Sequence, residues 1–247
     1  MEPDAVAMNM SEQDALAVLQ SSEIIGGHRI PWGSNNTFMV RIDAGSRGYL
    51  RAIYKPRDGE SPLADFPMGS LYKREYAAYL LSCALGWPRV PLTLIRDGPY
   101  GVGSVQLFIE ADPRISYFEL IEEHEDEMLR FAAFDVIANN ADRKGGHCLL
   151  GRDGRIWSID HGLTFHPVFK MRTVTLELWG APIPEPLLRD IEALPQRLKS
   201  ESELAGNMEA VLTPKELAAL DSRVQVLLQD PVIPRLNPRF NVPWPLV

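Results

Sequence analysis

The sequence predicts an α+β fold in two lobes, strand-rich first and helix-rich second, meeting near residues 110–116. Three observations carry this expectation. Up to about residue 109 the apolar positions alternate in short runs, with one long helical stretch among them. Beyond residue 116 the apolar spacing turns mainly helical. Within that second texture lies one polar, glycine-containing segment, residues 134–165, with two aspartates eighteen positions apart, each beside a short apolar run. The expected organisation is an extension with a short helix at 1–21, lobes at 22–112 and 113–230, and a proline-rich tail at 231–247.

Residues 1–10 read as a frayed start. Ser11 then serves as N-cap of a short helix, with Asp14 three residues on as the partner of a capping box. Residues 22–54 read as strands, with turns at Gly26-Gly27 and at 33–36. Phe38, Val40 and Ile42 alternate with Met39 and Arg41, and residues 49–54 form the next strand. Three prolines between 56 and 69 keep that stretch irregular. Residues 70–85 form a helix, ended by Gly86 and Trp87-Pro88. Strands are expected at 90–95 and 103–109 around the turn RDGPYG, and one helix over 117–139. A hairpin follows around Arg152-Asp153-Gly154. Pro186 opens a helix that Pro195 stops, and Thr213 caps another over 214–229. The tail, with five prolines between 231 and 245, is expected to be extended.

The bulk properties exclude several function classes. The 247 residues suffice for one large domain or two small lobes sharing a cleft. A composition of 45% hydrophobic and 23% charged residues supports an ordinary core. A net charge of −8 opposes broad binding to nucleic acid or anionic membrane, since both repel an acidic surface. Cys83 and Cys148 sit in apolar surroundings without a CxxC pair, which predicts two buried free thiols in a reducing cytoplasm. The first residues lack the apolar stretch of a secretory signal, and no window reaches the roughly 18 apolar residues of a membrane span.

Five features suit phosphoryl transfer, which needs phosphate anchoring, metal ligands and an oriented acceptor rather than covalent help. The turn Gly33-Ser34-Asn35-Asn36-Thr37 offers backbone N–H groups and hydroxyls to phosphates, though a plain hairpin has the same look. Lys55 ends an apolar strand, where it can reach phosphates or simply face solvent. Glu75 in the following helix can pair with Lys55, or with its neighbours Lys73 and Arg74. Asp142, in a polar loop after an apolar helix, can orient and deprotonate an acceptor hydroxyl, or form an Asx turn. Asp160 ends an apolar strand before a glycine turn, where its carboxylate suits a metal, or a cap. His147, five residues after Asp142, is a second candidate metal ligand through its neutral imidazole.

The segment from Asp142 to Gly162, D-R-x(3)-H-x-L-L-x(3)-G-x-I-x-x-I-D-H-G, resembles the catalytic and metal-binding loops of the phosphatidylinositol 3-/4-kinase superfamily. The stretch from Ala52 to Glu60 is similar to the lysine strand of its type II 4-kinases and their bacterial relatives. Residues 74–79 with Gly86 and Val90-Pro91 are similar to the helix bearing the lysine's glutamate partner. The resemblance covers roughly residues 24–170, and the overall texture looks most like bacterial members. It implies a two-lobed protein-kinase-like fold, ATP as phosphate donor, and Mg2+ or Mn2+ as cofactor. It implies that Lys55 contacts phosphates, Glu75 pairs with it, Asp142 is the catalytic aspartate and Asp160 the principal metal ligand. Gln106, Leu107, Phe108 and Ile109 would lie in the hinge strand that contacts adenine.

Two departures stand out. His147 occupies the place of the metal-binding asparagine, and imidazole is a softer ligand for Mg2+. No basic, aromatic-rich loop follows Gly162; residues 165–175 hold only Lys170 and Arg172 as cations, which disfavours a lipid acceptor against a protein or small molecule. The first alternative is a pseudokinase with a nucleotide-binding or scaffold role, motivated by His147 and the tail. The second is a metal-dependent hydrolase built from His147, Asp160, His161 and His166.

Overall fold

A computed structural model describes residues 10–31, 33–199 and 202–247, with the Lys199 side chain outside the description. The expected frayed start lies outside it except for Met10. The fold is α+β, with an antiparallel sheet and a set of helices, as the two textures predict. The chain divides into two compact units: residues through Tyr76 with Pro91–Phe108, and Ala77–Val90 with Ile109–Val247.

The first unit is built on one five-stranded sheet. Its strands are β1 (Ile24–Arg29), β2 (Phe38–Asp43), β3 (Tyr49–Pro56), β4 (Thr93–Gly98) and β5 (Gly101–Leu107), in the order β1-β2-β3-β5-β4. Period-2 patterning sets its faces. Leu50, Ala52 and Tyr54 of β3 are buried, while Tyr49, Arg51, Ile53 and Lys55 turn to the other, half-covered face. Helix α1 (Glu12–Ser21) buries Ala15 and Leu19. Ser11 caps it by accepting from the Asp14 N–H (3.1 Å), but the Asp14 carboxylate turns to Arg47 (2.9 Å) instead of closing a capping box.

Two turn expectations are corrected here. Gly26-Gly27 lies inside β1, paired with Arg41 and Val40. A Cβ at Gly27 would stand 2.5 Å from Met39 O, so glycine serves close strand approach at an irregular pairing rather than reversal. RDGPYG is mostly strand: β4 runs to Gly98 and β5 starts at Gly101, leaving Pro99-Tyr100 as the connection.

Helix α2 (Leu71–Leu85) gives its residues through Tyr76 to the first unit and the rest to the second. The second unit continues with α3 (Tyr117–Glu123), α4 (Glu125–Ala138), the hairpin β6 (Cys148–Leu150) and β7 (Ile156–Ser158), then α5 (Glu185–Lys199), α6 (Glu203–Val211) and α7 (Pro214–Gln229). The expected single helix over 117–139 is broken at His124 (φ −132°, ψ 39°), where the chain leaves helical geometry before three acidic residues open α4. Pro195 lies within α5 rather than ending it: its ring removes one helical donor, and the buried face of Leu187, Ile191 and Leu194 carries the helix through. Thr213 caps α7 through a capping box with Glu216. Cys83 is exposed and Cys148 buried, neither in a disulfide, so the expectation of two buried thiols fails for Cys83. Among the described residues no helix is long and apolar enough to cross a membrane.

Candidate active site

In the first unit, period 2 places Lys55 on the half-covered face of β3, and α2 brings Glu75 to it. The two form an ion pair, with the Lys55 side chain 23% and the Glu75 side chain 3% exposed. A carboxylate so buried needs a cation, and Lys55 is one that meets that need. The 33–37 turn is pinned to the stretch after β3. The Asn36 N–H donates to Gly59 O (2.8 Å), Asn35 Oδ1 accepts from the Ser61 N–H (2.8 Å), and Ser61 Oγ donates to Ser34 O. Thr37 O accepts from the Ile30 N–H (2.8 Å), and Gly33 takes φ +99°, which favours glycine. The Asn36 N–H is therefore engaged within the protein.

The hinge candidates are similarly tied. Gln106 is buried and donates from Nε2 to Thr93 Oγ1 (2.8 Å). The Leu107 N–H donates to Leu92 O (2.8 Å) and the Phe108 N–H to Arg51 O (3.0 Å), with the Arg51 guanidinium over the Phe108 ring. Ile109 is the residue at which the second unit resumes.

In the second unit the loop after α4 carries Asp142. Asn140 Oδ1 accepts the Asp142 N–H (3.0 Å), an Asx-type turn that sets the loop, and Lys144 Nζ lies 3.1 Å from Asp142 Oδ2. Burial raises the Asp142 carboxyl above its ordinary value; Lys144 pulls against this and the charge of Asp160 adds to it. Asp160 follows β7 at φ 59°, a left-handed conformation that Asp tolerates better than most residues, and its carboxylate is 47% exposed. His147 Nε2 lies 3.2 Å from Asp160 Oδ2. His147 Nδ1 accepts from the Lys144 N–H (3.4 Å), which assigns the proton of a neutral ring to Nε2, the nitrogen facing Asp160.

Arg143 organises this unit, and sequence reasoning gave it no place in the site. Its side chain is fully buried against Asp135, in a fork of Nε to Oδ2 and Nη2 to Oδ1, both 2.8 Å. It also donates to Ser158 Oγ (2.8 Å) and to the carbonyls of His147 and Ile159 (both 3.3 Å). One guanidinium, on the residue next to Asp142, thus ties the His147 carbonyl to that of Ile159, next to Asp160. The signal was Asp135: a carboxylate on the apolar face of a helix requires a buried partner. Asn140 completes the group by donating to Asp135 Oδ1 (2.9 Å).

The four-ligand hydrolase arrangement does not assemble. His161 is buried, and its Nε2 faces Arg143 Nη2 (3.1 Å), a pure donor, so that nitrogen accepts inward. His166 Nδ1 is engaged by Val168 (3.0 Å). Among the described residues no group of three or more His, Cys, Asp or Glu could hold a metal ion.

No protein-family profile matches the sequence. Protein Rv2133c of Mycobacterium tuberculosis is 38% identical over 277 aligned positions, covering 97% of this chain and 98% of that protein. Among solved structures, the Golgi casein kinase with Mn/ADP bound matches with a TM-score of 0.56 at 15% identity, covering 88% of this chain and 74% of that one. Hydra Fam20 with sugar matches at 0.53 and 17%, covering 88% and 86%. The Helicobacter pylori proinflammatory kinase CtkA matches at 0.50 and 12%, covering 87% and 94%. At such identities these likenesses speak to fold, and the fold is protein-kinase-like. They support that expectation and not the narrower phosphatidylinositol 3-/4-kinase resemblance.

Proposed function

The chain belongs to the family of Protein Rv2133c from Mycobacterium tuberculosis, and we propose that it is an ATP-dependent phosphotransferase that moves the γ-phosphate to a hydroxyl of a protein or small molecule. The observation that carries this is the ion pair of Lys55 with the buried Glu75 in a chain of protein-kinase-like fold. A strand lysine held by a helix glutamate is the phosphate anchor that this chemistry requires.

In this reading Lys55 binds the α- and β-phosphates and Glu75 keeps its ammonium in place. The 33–37 turn covers phosphates and residues 106–109 border the adenine. Asp142 takes the proton of the acceptor hydroxyl on its carboxylate, and burial moves its basicity toward working pH. Asp160 is the metal ligand. One exposed carboxylate suits Mg2+ or Mn2+ carried in by a nucleotide, since Mg2+ takes one or two carboxylates and fills its other positions with phosphates and water. The bound ion supplies neutralisation of the phosphate charge. His147, with its Nε2 proton on Asp160, orients that carboxylate as placed, and becomes a ligand itself only by giving up that proton. The Mn/ADP found in the Golgi casein kinase supports nucleotide and divalent metal as the cofactors. The phosphatidylinositol 3-/4-kinase-like reading rests on the Asp142–Gly162 segment, and Lys170 and Arg172 are a small basic complement for a lipid headgroup. Two cysteines outside any disulfide are what a reducing cytoplasm would leave, and we place the chain there.

The test is incubation of the purified chain with γ-labelled ATP, Mg2+ or Mn2+, and a cell lysate. Label should pass to an acceptor or to the chain itself, and Asp160→Asn should abolish transfer. Unchanged transfer in Asp160→Asn would overturn the assignment. The His147 proton on Asp160 motivates the second reading, a pseudokinase. Nucleotide binding by calorimetry with no turnover in any metal would favour it.

A further inference from the structure

Residues 237–247 run beside the Asp142 loop and meet it from two sides. On one side Asn241 O accepts the Thr173 N–H (2.9 Å), and Asn241 Nδ2 donates to Met171 O (2.7 Å). That stretch is laced to the loop: the Arg172 N–H donates to Asn140 O and the Arg143 N–H to Arg172 O, both 3.0 Å. On the other side Leu246 O accepts the Gly145 N–H (2.7 Å). Gly145 opens the short 3-10 turn Gly145–His147. A Cβ at Gly145 would stand 2.8 Å from the Phe118 ring and 3.5 Å from Leu246 O, so the turn is gripped between α3 and the tail. His147 closes the turn and donates to Asp160. Pro243 is buried, whereas Phe240 and Trp244 are 65% and 88% exposed. The segment is therefore anchored through its backbone and one amide rather than through its aromatic side chains.

We infer that residues 237–247 are a strap that positions the His147–Asp160 pair, so that divalent-metal binding at Asp160 and docking of the strap on Gly145 stabilise one another. This rests on the proposed metal role of Asp160. Coupling between two sites is reciprocal. Loosening the strap frees the turn, misplaces the His147 N–H and lowers metal affinity. Metal bound at Asp160 holds His147, and through the turn it holds the Gly145–Leu246 hydrogen bond closed.

The experiment follows exchange of the Gly145 amide by hydrogen–deuterium mass spectrometry in the full chain, with and without MnCl2 at saturating ADP. It pairs this with calorimetric titration of MnCl2 at fixed ADP. Mn2+ should slow Gly145 exchange in the wild type and not in Asp160→Asn. Asn241→Ala should speed exchange without metal and weaken Mn2+ binding about fivefold or more, the low end of usual coupling. Ile233→Val, in the same tail but away from both anchors, should lower Tm slightly and leave Mn2+ affinity unchanged. Normal Mn2+ binding with no change in wild-type Gly145 exchange, or unaltered affinity in Asn241→Ala, overturns the strap and leaves the kinase reading standing. Absence of Mn2+ binding in the wild type removes the metal assignment and the strap with it. The wild-type exchange measurement decides the matter even if Asn241→Ala does not fold.

Discussion

Asp135→Asn tests the arrangement that holds the second unit's candidate site residues. The Asp135 carboxylate accepts the Arg143 fork, two bonds of 2.8 Å, and a third bond of 2.9 Å from Asn140, with both charged side chains fully buried. Asparagine keeps the shape and removes the charge, leaving the guanidinium buried without its counterion. Removing one partner of such a pair costs about 3–5 kcal/mol. For a chain of this size each kcal/mol shifts Tm by about 2–4 °C, so the expected fall is roughly 6–20 °C. Circular dichroism melts at neutral pH measure it, and urea titration with an unchanged m-value assigns it to stability. Replacing both partners, Asp135→Leu with Arg143→Met, should recover much of the loss, because no uncompensated charge remains. A fall in Asp135→Asn under about 2 °C, no more than about one kcal/mol on the same scale, would refute the view that this pair organises the loops. So would a double variant whose loss equals the sum of the two singles, since contacting partners should not be additive.

Other expectations follow from the same geometry. Because burial raises the Asp142 carboxyl, its contribution to stability is fully present below the ordinary value of 3.8 and is lost as pH rises through the folded value. Asp142→Asn should therefore melt above the wild type near about pH 7, with the gap closing toward about pH 4, and a wild type more stable at neutral pH would contradict this. If the chain is the phosphotransferase proposed above, Lys55→Met should lower kcat/KM for ATP by roughly 10²–10³-fold, the scale of a lost electrostatic contact in the transition state. Turnover within about threefold of wild type would remove Lys55 from the site. Gly27→Ala should cost about 1–3 kcal/mol by chemical denaturation, since its Cβ would press on Met39 O, and a neutral result would show that β1 yields at that point.

The sequence determined the materials of this protein. Period-2 runs specified β2 and β3 and placed Lys55 on the face opposite Leu50, Ala52 and Tyr54, because side-chain direction in a strand is local. Caps specified the starts of α1 and α7 through Ser11 and Thr213, because a cap is a bond between near neighbours. Spacing and resemblance proposed the set Lys55, Glu75, Asp142 and Asp160, of which the structure pairs Lys55 with Glu75. Tertiary structure decided what each group meets. Gly26-Gly27 became strand because Met39 and Val40 pass close by, and Pro195 stayed in α5 because a buried face outweighed one lost donor. Glu75 meets Lys55 because the fold brings the buried face of α2 against β3, twenty residues earlier in the chain. Arg143 became the hub through Asp135, Ser158 and the carbonyls of His147 and Ile159, and the tail reached Gly145 from about a hundred residues away. Local rules act within a few residues of chain. A buried charge or an orphan N–H is satisfied by whatever the fold brings near, and spacing along the sequence does not contain that information.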